Sequence, residues 1–333
     1  PDLPEGLETI GMGAFTNCKN LGRVTFPSTL NKIVSSPWGP TFGYCNITEL
    51  IWPDNCQDIS IDSYAFAYVT GLKKVSISPG QTELGGYQFF QCQDLEEVDL
   101  SKVGNGFVVG DYCFKECHKL TAVTFPTRIK KIGLQAFYSC NNLDVRSLPA
   151  MTTLGSEAFA RSGITEMGLG FWPSEPIVEL GTSIFSVCLN LSSVVVPDWM
   201  AEIPAGLCDW TPELESLTIG EGVTSIGVGA FTRCKFTNVS LPSTLVSIGN
   251  NAFQYSALTA IEFPSSLKSV GAYAFANTAL QAIDITGGVT YGNNAFESAK
   301  IVNVTWPEHP VAIGANLLKG NLIANLVAPA WMT

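Results

Sequence analysis

One phrase recurs down this chain and constrains its fold more than any other feature. Ile10-Gly11-Met12-Gly13-Ala14-Phe15 returns as Ile132-Gly133-Leu134-Gln135-Ala136-Phe137, and again over residues 226–231, 248–253 and 270–275. Anchored on the phenylalanine, fourteen units follow one another, at Phe15, Phe42, Phe66, Phe89, Phe114, Phe137, Phe159, Phe185, Leu207, Phe231, Phe253, Phe275, Phe296 and Leu318. Neighbouring anchors lie 21 to 27 residues apart, most often 22. A period of this length marks a stacked solenoid, whose core grows linearly with the chain. Fourteen units in 333 residues leave no room for a second fold, so residues 1–333 are expected as a single solenoid domain.

The residues after each anchor are equally regular. Phe114 is followed by Cys117, Leu120, Val123, Phe125 and Pro126; Phe185 by Cys188, Leu191, Val194, Val196 and Pro197. The V-x-F portion alternates with period two, as a short half-buried strand does, and the proline closes it because it cannot donate to a ladder. The A-F-x-x-C segment is too short for a free helix and predicts one tight helical or 3₁₀ turn. Each unit therefore reads as strand, turn, a second extended stretch (Leu245–Ile248 in its unit), then the Ala-Phe turn. A coil of this size cannot bury its apolar face alone. Stacking coils predicts a continuous core of Phe, Leu and Val rungs and one long curved parallel sheet on the concave side. Several units depart from the pattern: the second, seventh and tenth to fourteenth lose one residue before the Leu position, Arg146 stands where the sixth unit needs its strand Val, and the ninth unit is read with Leu207 and Trp210 in the Phe and Cys slots.

The extended phrase I-G-x-x-A-F-x-x-C-x-x-L-x-x-V-x-F-P resembles the BspA-type leucine-rich repeat of bacterial and protozoan surface proteins, from Leu7 to Pro329. That resemblance implies a secreted or cell-surface, adhesin-like binding protein, non-enzymatic, whose partners are host or extracellular-matrix proteins. Composition narrows the partners independently. With 18 basic against 29 acidic residues the net charge is −11, and nucleic acids and anionic membranes recruit clustered Lys and Arg. No run of eighteen apolar residues exists, so membrane insertion is not expected. A monomer without cofactor or metal is the expectation, with glycan as the alternative ligand and a passive spacer presenting another domain as the alternative role.

Seven of the ten cysteines (Cys18, Cys45, Cys92, Cys117, Cys140, Cys188, Cys234) occupy one slot, three after the anchor, where other units carry Ser256, Thr278 or Ala299. Interchange with small residues marks a tight buried site in which a thiol acts as a small hydrophobe. Adjacent coils place such thiols about 5 Å apart; distance alone permits bridging, but parallel side-chain vectors suit a disulfide poorly.

Two sets of residues are candidates for binding. On the sheet face, Glu97 and Asp99 share a strand, and Glu262 and Asp284 share a column in consecutive coils, where like charges raise a pKa. Such a pair reads as general acid and base for a glycoside, as a cation site, or as a solvated acidic face. No aromatic stands in the two outward columns of that face, so it offers no stacking platform for sugars. In the inserts, Trp38, Phe171 and Trp172, and Trp199 at a strand exit, read either as partner contacts or as local plugs. Trp52, Trp210 and Trp306 fill repeat slots and are expected in the core.

Overall fold

The structure, a computed structural model, describes residues 1–53, 59–77, 80–309 and 311–324. It is a β-solenoid of stacked parallel strands. The chain divides into two compact units, Pro1–Ile164 with Gly170–Ile184, and Thr165–Leu169 with Phe185–Thr333.

In each unit the strands form two columns. The V-x-F strands build the first: Gly22–Thr25 with Ile47–Ile51, then Lys74–Ser76, Glu97–Asp99 and Ala122–Thr124 in the N-terminal unit; Glu166–Met167, Ser193–Val196 and Ser216–Ile219, then Ala282–Asp284 with Asn303–Thr305, in the C-terminal unit. The stretches before the I-G dipeptide, expected only to be extended, form a second parallel ladder. It runs through Glu83–Leu84, Val108–Val109, Lys131–Ile132, Thr153–Leu154 and Glu179–Leu180 in one unit, and from Glu202–Ile203 to Thr290–Tyr291 in the other. The glycine after this strand sits where the next coil is closest. A Cβ on Gly155 would stand 2.5 Å from the Gly133 carbonyl carbon.

Between the columns lies the core. The anchor rings stack face to face: Phe42–Phe66, Phe66–Phe89, Phe89–Phe114, Phe114–Phe137 and Phe137–Phe159 have centroids 5.2 to 5.4 Å apart and planes within 11°. Coil spacing of about 4.8 Å brings identical rings into register, and offset stacking adds to their burial. Phe231, Phe253, Phe275 and Phe296 repeat the arrangement in the C-terminal unit.

The anchor segments turn through i→i+3 hydrogen bonds, such as Ala136 N to Gly133 O and Cys140 N to Phe137 O, both 3.3 Å. They do not wind into helices, because the residues two before and two after the anchor are left-handed: Gln135 and Ser139, for instance, have φ of 49° and 60°. Left-handed backbone costs a non-glycine residue about 1–2 kcal/mol. It is offset here because these N–H groups then point at the next coil, as in Gln135 N to Ser156 O and Ser139 N to Ala160 O, both 2.9 Å.

Two units depart from the reading of the sequence. In the ninth, the phase is one residue later. Anchor N–H groups donate to the carbonyl just before the next anchor, as Phe231 does to Ala252; here Phe185 donates to Leu207 and Cys208 to Ala230. Cys208 therefore holds the anchor slot and Leu207 the Ala slot, both fully buried, while Thr211 takes the Cys slot. Trp210, expected in the core, is 49% exposed. In the sixth, Val145 is buried in place of Arg146, which turns outward and pairs with Asp144 at 2.6 Å.

Candidate functional site

Glu97 and Asp99 both lie on the face of the V-x-F strands, and neither is an isolated acid. The Glu97 carboxylate is 3.1 Å from Lys74 Nζ on the paired strand. Asp99 Oδ1 accepts the Ser101 N–H at 2.9 Å. Hydrogen bonds from Ser101 hold the Asp99 carboxyl below its usual range, helped by Lys74 and Lys102 and opposed by burial. Asp99 is thus a fixed anion within a mixed-charge patch.

Glu262 and Asp284 are not a hydrogen-bonded strand pair. Asp284 pairs forward with Thr305, whereas Glu262 lies outside any strand. The two coils are joined up to Gln281 N–Thr259 O at 3.3 Å, and no backbone bond continues the ladder to Glu262. On the other side of Glu262, where residues 238–241 and 260–262 form no strand, a shallow groove of about 470 Å³ opens beside Leu217, Asn238–Leu241 and Ala260–Glu262; Asp284 does not line it. A second groove, about 590 Å³, opens at another break, between Ala122–Thr127 and Asp144–Pro149. Among the described residues, no group of three or more His, Cys, Asp or Glu is arranged to hold a metal ion.

The insert aromatics separate. Trp38 stands 95% exposed on the turn closed by the Ser36–Gly39 bridge. Phe171 and Trp172 are the opposite: 1% and 7% exposed, edge to face at 5.6 Å. The insert folds its largest apolar area inward, where the backbone carbonyl of Phe171 also accepts Leu148 N at 2.7 Å. Trp199 is half-buried.

The thiol slot is built for a carbonyl. Cys92, Cys117 and Cys140 each donate Sγ–H to the anchor carbonyl of the preceding coil (Phe66, Phe89, Phe114) at 3.2 Å. Thr278 fills the slot with a hydroxyl that bonds the Phe275 carbonyl at 2.9 Å. Burial pushes the Cys117 thiol up to about 12, which keeps it a protonated donor. The nine described cysteines are free; Cys56 lies outside the described residues.

The turn face carries a feature that the sequence reading passed over. Two slots per coil, the left-handed positions flanking the anchor, project outward, and over the coils of Phe42 to Phe114 five of them hold tyrosine. Tyr64, Tyr87 and Tyr112 stack at 4.5 and 4.4 Å; Tyr44 and Tyr68 stack at 4.6 Å with planes 3° apart. Phe90 joins the rows, edge-on to Tyr68 at 5.4 Å and to Tyr87 at 5.6 Å. The result is a continuous patch of six rings fixed by the inter-coil ladder, for example Tyr68 N to Phe90 O at 2.8 Å. Lys115 Nζ lies 5.4 Å over Tyr112 at its margin. Stacked rings cover one another's faces and present edges and hydroxyls to solvent.

The profile of the BspA type leucine rich repeat region matches residues 1–107, 107–209 and 201–325, in six copies. The chain belongs to the BspA-type leucine-rich-repeat family. Among solved structures, this BspA-type chain is similar to a leucine-rich repeat protein of Bacteroides ovatus (TM-score 0.62, 22% identity, 74% of this chain and 72% of that one). It is also similar to one from Eubacterium ventriosum (0.53, 18%, 84% and 82%) and to a leucine rich cell surface protein of Faecalibacterium prausnitzii (0.51, 20%, 92% and 87%). No curated protein sequence matches the chain.

The signal for the tyrosine patch was present in the BspA-type repeat itself. Tyr64, Tyr87 and Tyr112 each stand two before the anchor, and Tyr44 and Tyr68 two after. The stack also has a pH signature. Burial, then the neighbouring hydroxyls of Tyr64 and Tyr112, push the Tyr87 hydroxyl up to about 12, against about 10 in an unfolded chain. The folded state retains this proton where the unfolded chain loses it, so the contribution is complete below pH about 10 and is lost as pH rises toward about 12. The urea midpoint of the wild type should therefore fall more steeply across that window than that of Tyr87→Phe; parallel pH profiles would exclude the coupling.

Proposed function

We propose that this BspA-type protein is a non-enzymatic binding protein, adhesin-like and placed at the cell surface or secreted, whose turn face engages a host or extracellular-matrix protein. The observation that carries the reading is the patch of Tyr44, Tyr64, Tyr68, Tyr87, Phe90 and Tyr112, rigid rings held in register by the coil ladder. Tyrosine supplies large amphipathic contact area at small cost in side-chain entropy, and a pre-organised patch loses little freedom on binding. Trp38, almost wholly exposed, extends the reading to the insert. The cell-surface placement follows the family and the Faecalibacterium neighbour, described as a leucine rich cell surface protein.

The test is saturable binding of the purified chain to an array of matrix proteins, plasma proteins and glycans. Tyr68→Ala/Phe90→Ala is compared with Glu97→Gln/Asp99→Asn. A protein hit weakened about tenfold or more by the aromatic pair, in keeping with truncated aromatic hot spots, and little changed by the acidic pair supports the reading. Binding confined to glycans, or lost only with the acidic pair, moves the site to the strand face.

A further inference from the structure

Three consecutive coils of the C-terminal unit place Trp210, Arg233 and Tyr255 in one slot, two residues after the buried anchors Cys208, Phe231 and Phe253. All three are left-handed, with φ of 55°, 61° and 59°. Each backbone N–H is taken by the next coil: Trp210 by Thr232 O at 2.8 Å, Arg233 by Gln254 O at 2.9 Å, and Tyr255 by Ala276 O at 3.0 Å. The side chains are therefore carried outward in register on a rigid backbone.

The Arg233 guanidinium lies 4.3 Å over the Trp210 ring and 5.1 Å over the Tyr255 ring. The rings themselves are 49% and 48% exposed. The cation thus lies over two aromatic rings, one from the coil before and one from the coil after, and Arg233 is itself exposed. Among the described residues its guanidinium N–H groups have no hydrogen bond and no salt bridge within 4.0 Å; the Asp209 carboxylate acts on the cation only at longer range. Lys235, two residues on, is held by Glu213 and Glu215. Leu189 and Val228, each 53% exposed on flanking turns, add apolar area to the same side of the coils.

A guanidinium flanked by rings is oriented and poorly hydrated on its faces, and its fork matches a carboxylate through two parallel bonds. Trp, Arg and Tyr are also the residue types that dominate interface energetics. A densely sulfated or phosphorylated polymer is a poor occupant: the chain carries a net charge of −11, and the triad offers one cation where such polymers require runs of them. A single carboxylate among apolar neighbours has both of its needs met.

We propose that Trp210, Arg233 and Tyr255 form a docking point for an acidic segment of a protein partner. An Asp or Glu carboxylate pairs in plane with the Arg233 guanidinium, and the adjoining apolar side chain packs on the exposed margins of Trp210 and Tyr255. The assignment rests on the reading of the turn face as a protein-binding face.

The experiment is fluorescence anisotropy of the whole chain with a labelled Glu-Leu repeat peptide, a Gln-Leu repeat peptide of the same length, and heparin. The Glu-Leu peptide is expected to bind about tenfold or more tightly than its neutral counterpart, the scale of a charge-assisted hydrogen bond. R233Q and W210A should abolish that preference, and R233K, which keeps the charge without the fork, should restore part of it. All three positions are exposed, so thermal unfolding of the variants should match the wild type. Unchanged affinity in R233Q, equal binding of the two peptides, or binding of heparin alone overturns the proposal. A matrix-protein hit indifferent to R233Q also overturns it while leaving the broader reading standing. An acidic-peptide preference with a blank protein array supports the triad and faults the broader reading instead.

Discussion

Phe114→Ala is expected to destabilise the protein by about 3–5 kcal/mol, the usual cost of emptying a buried aromatic site. The ring is fully buried and is clasped between Phe89 and Phe137 at 5.4 and 5.3 Å, nearly parallel to both. Removing it leaves a void the size of a phenyl ring and ends two stacking contacts at once. The void cannot collapse easily, because Val108–Val109 of this coil is bonded to the strands on both sides and Ala122–Thr124 to Glu97–Asp99. In a solenoid each coil touches only its neighbours, so the damage should be local and the denaturant slope reduced if the two flanks unfold separately. Equilibrium urea unfolding measures both quantities. A loss below about 1 kcal/mol would mean that the anchor stack is not what joins the coils.

Gly155→Ala is expected to cost about 1–3 kcal/mol or more, as overpacking does, whereas Gly11→Ala in the same slot of the first coil should change stability by less than about 0.5 kcal/mol. A Cβ on Gly155 would stand 2.5 Å from the Gly133 carbonyl carbon and the Leu134 nitrogen, and both are backbone atoms that cannot rotate aside. At Gly11 nothing lies within 4 Å, because no described coil stacks on that side. Neither residue is left-handed, so the contrast isolates close approach from backbone conformation. Parallel thermal unfolding of the two variants decides it: equal melting temperatures would show that the glycine of the repeat phrase is not a spacing requirement.

Most of the core was legible in the sequence, although Trp52 and Trp306, expected in it, are only half-buried. The period located Phe66, Phe89, Phe114 and Phe137 in the stack, and interchange of Cys with Ser and Thr marked a small buried slot. Its partner, the anchor carbonyl of the preceding coil, emerged only with the coils superposed. Where two residues compete for a slot, pattern failed. Leu207 resembles an anchor more than Cys208 does, yet the inter-coil bonds Phe185 N–Leu207 O and Cys208 N–Ala230 O set the phase. The shift moved Trp210 from the interior to the surface and produced the Arg233 sandwich. For the inserts pattern left contact and plug both open, and Phe171 and Trp172 stand in a proline-flanked segment that folds inward.

Period and slot composition by themselves determined that this chain stacks coils and which residues form most of its spine. These are properties of spacing and residue type, and they survive any local rearrangement of the backbone. Which side chains share a surface was decided by tertiary structure alone. Tyr87, Trp210, Arg233 and Tyr255 adopt left-handed φ although their residue types disfavour it. They do so because a hydrogen bond to the next coil compensates, and that bond exists only when the coils are stacked.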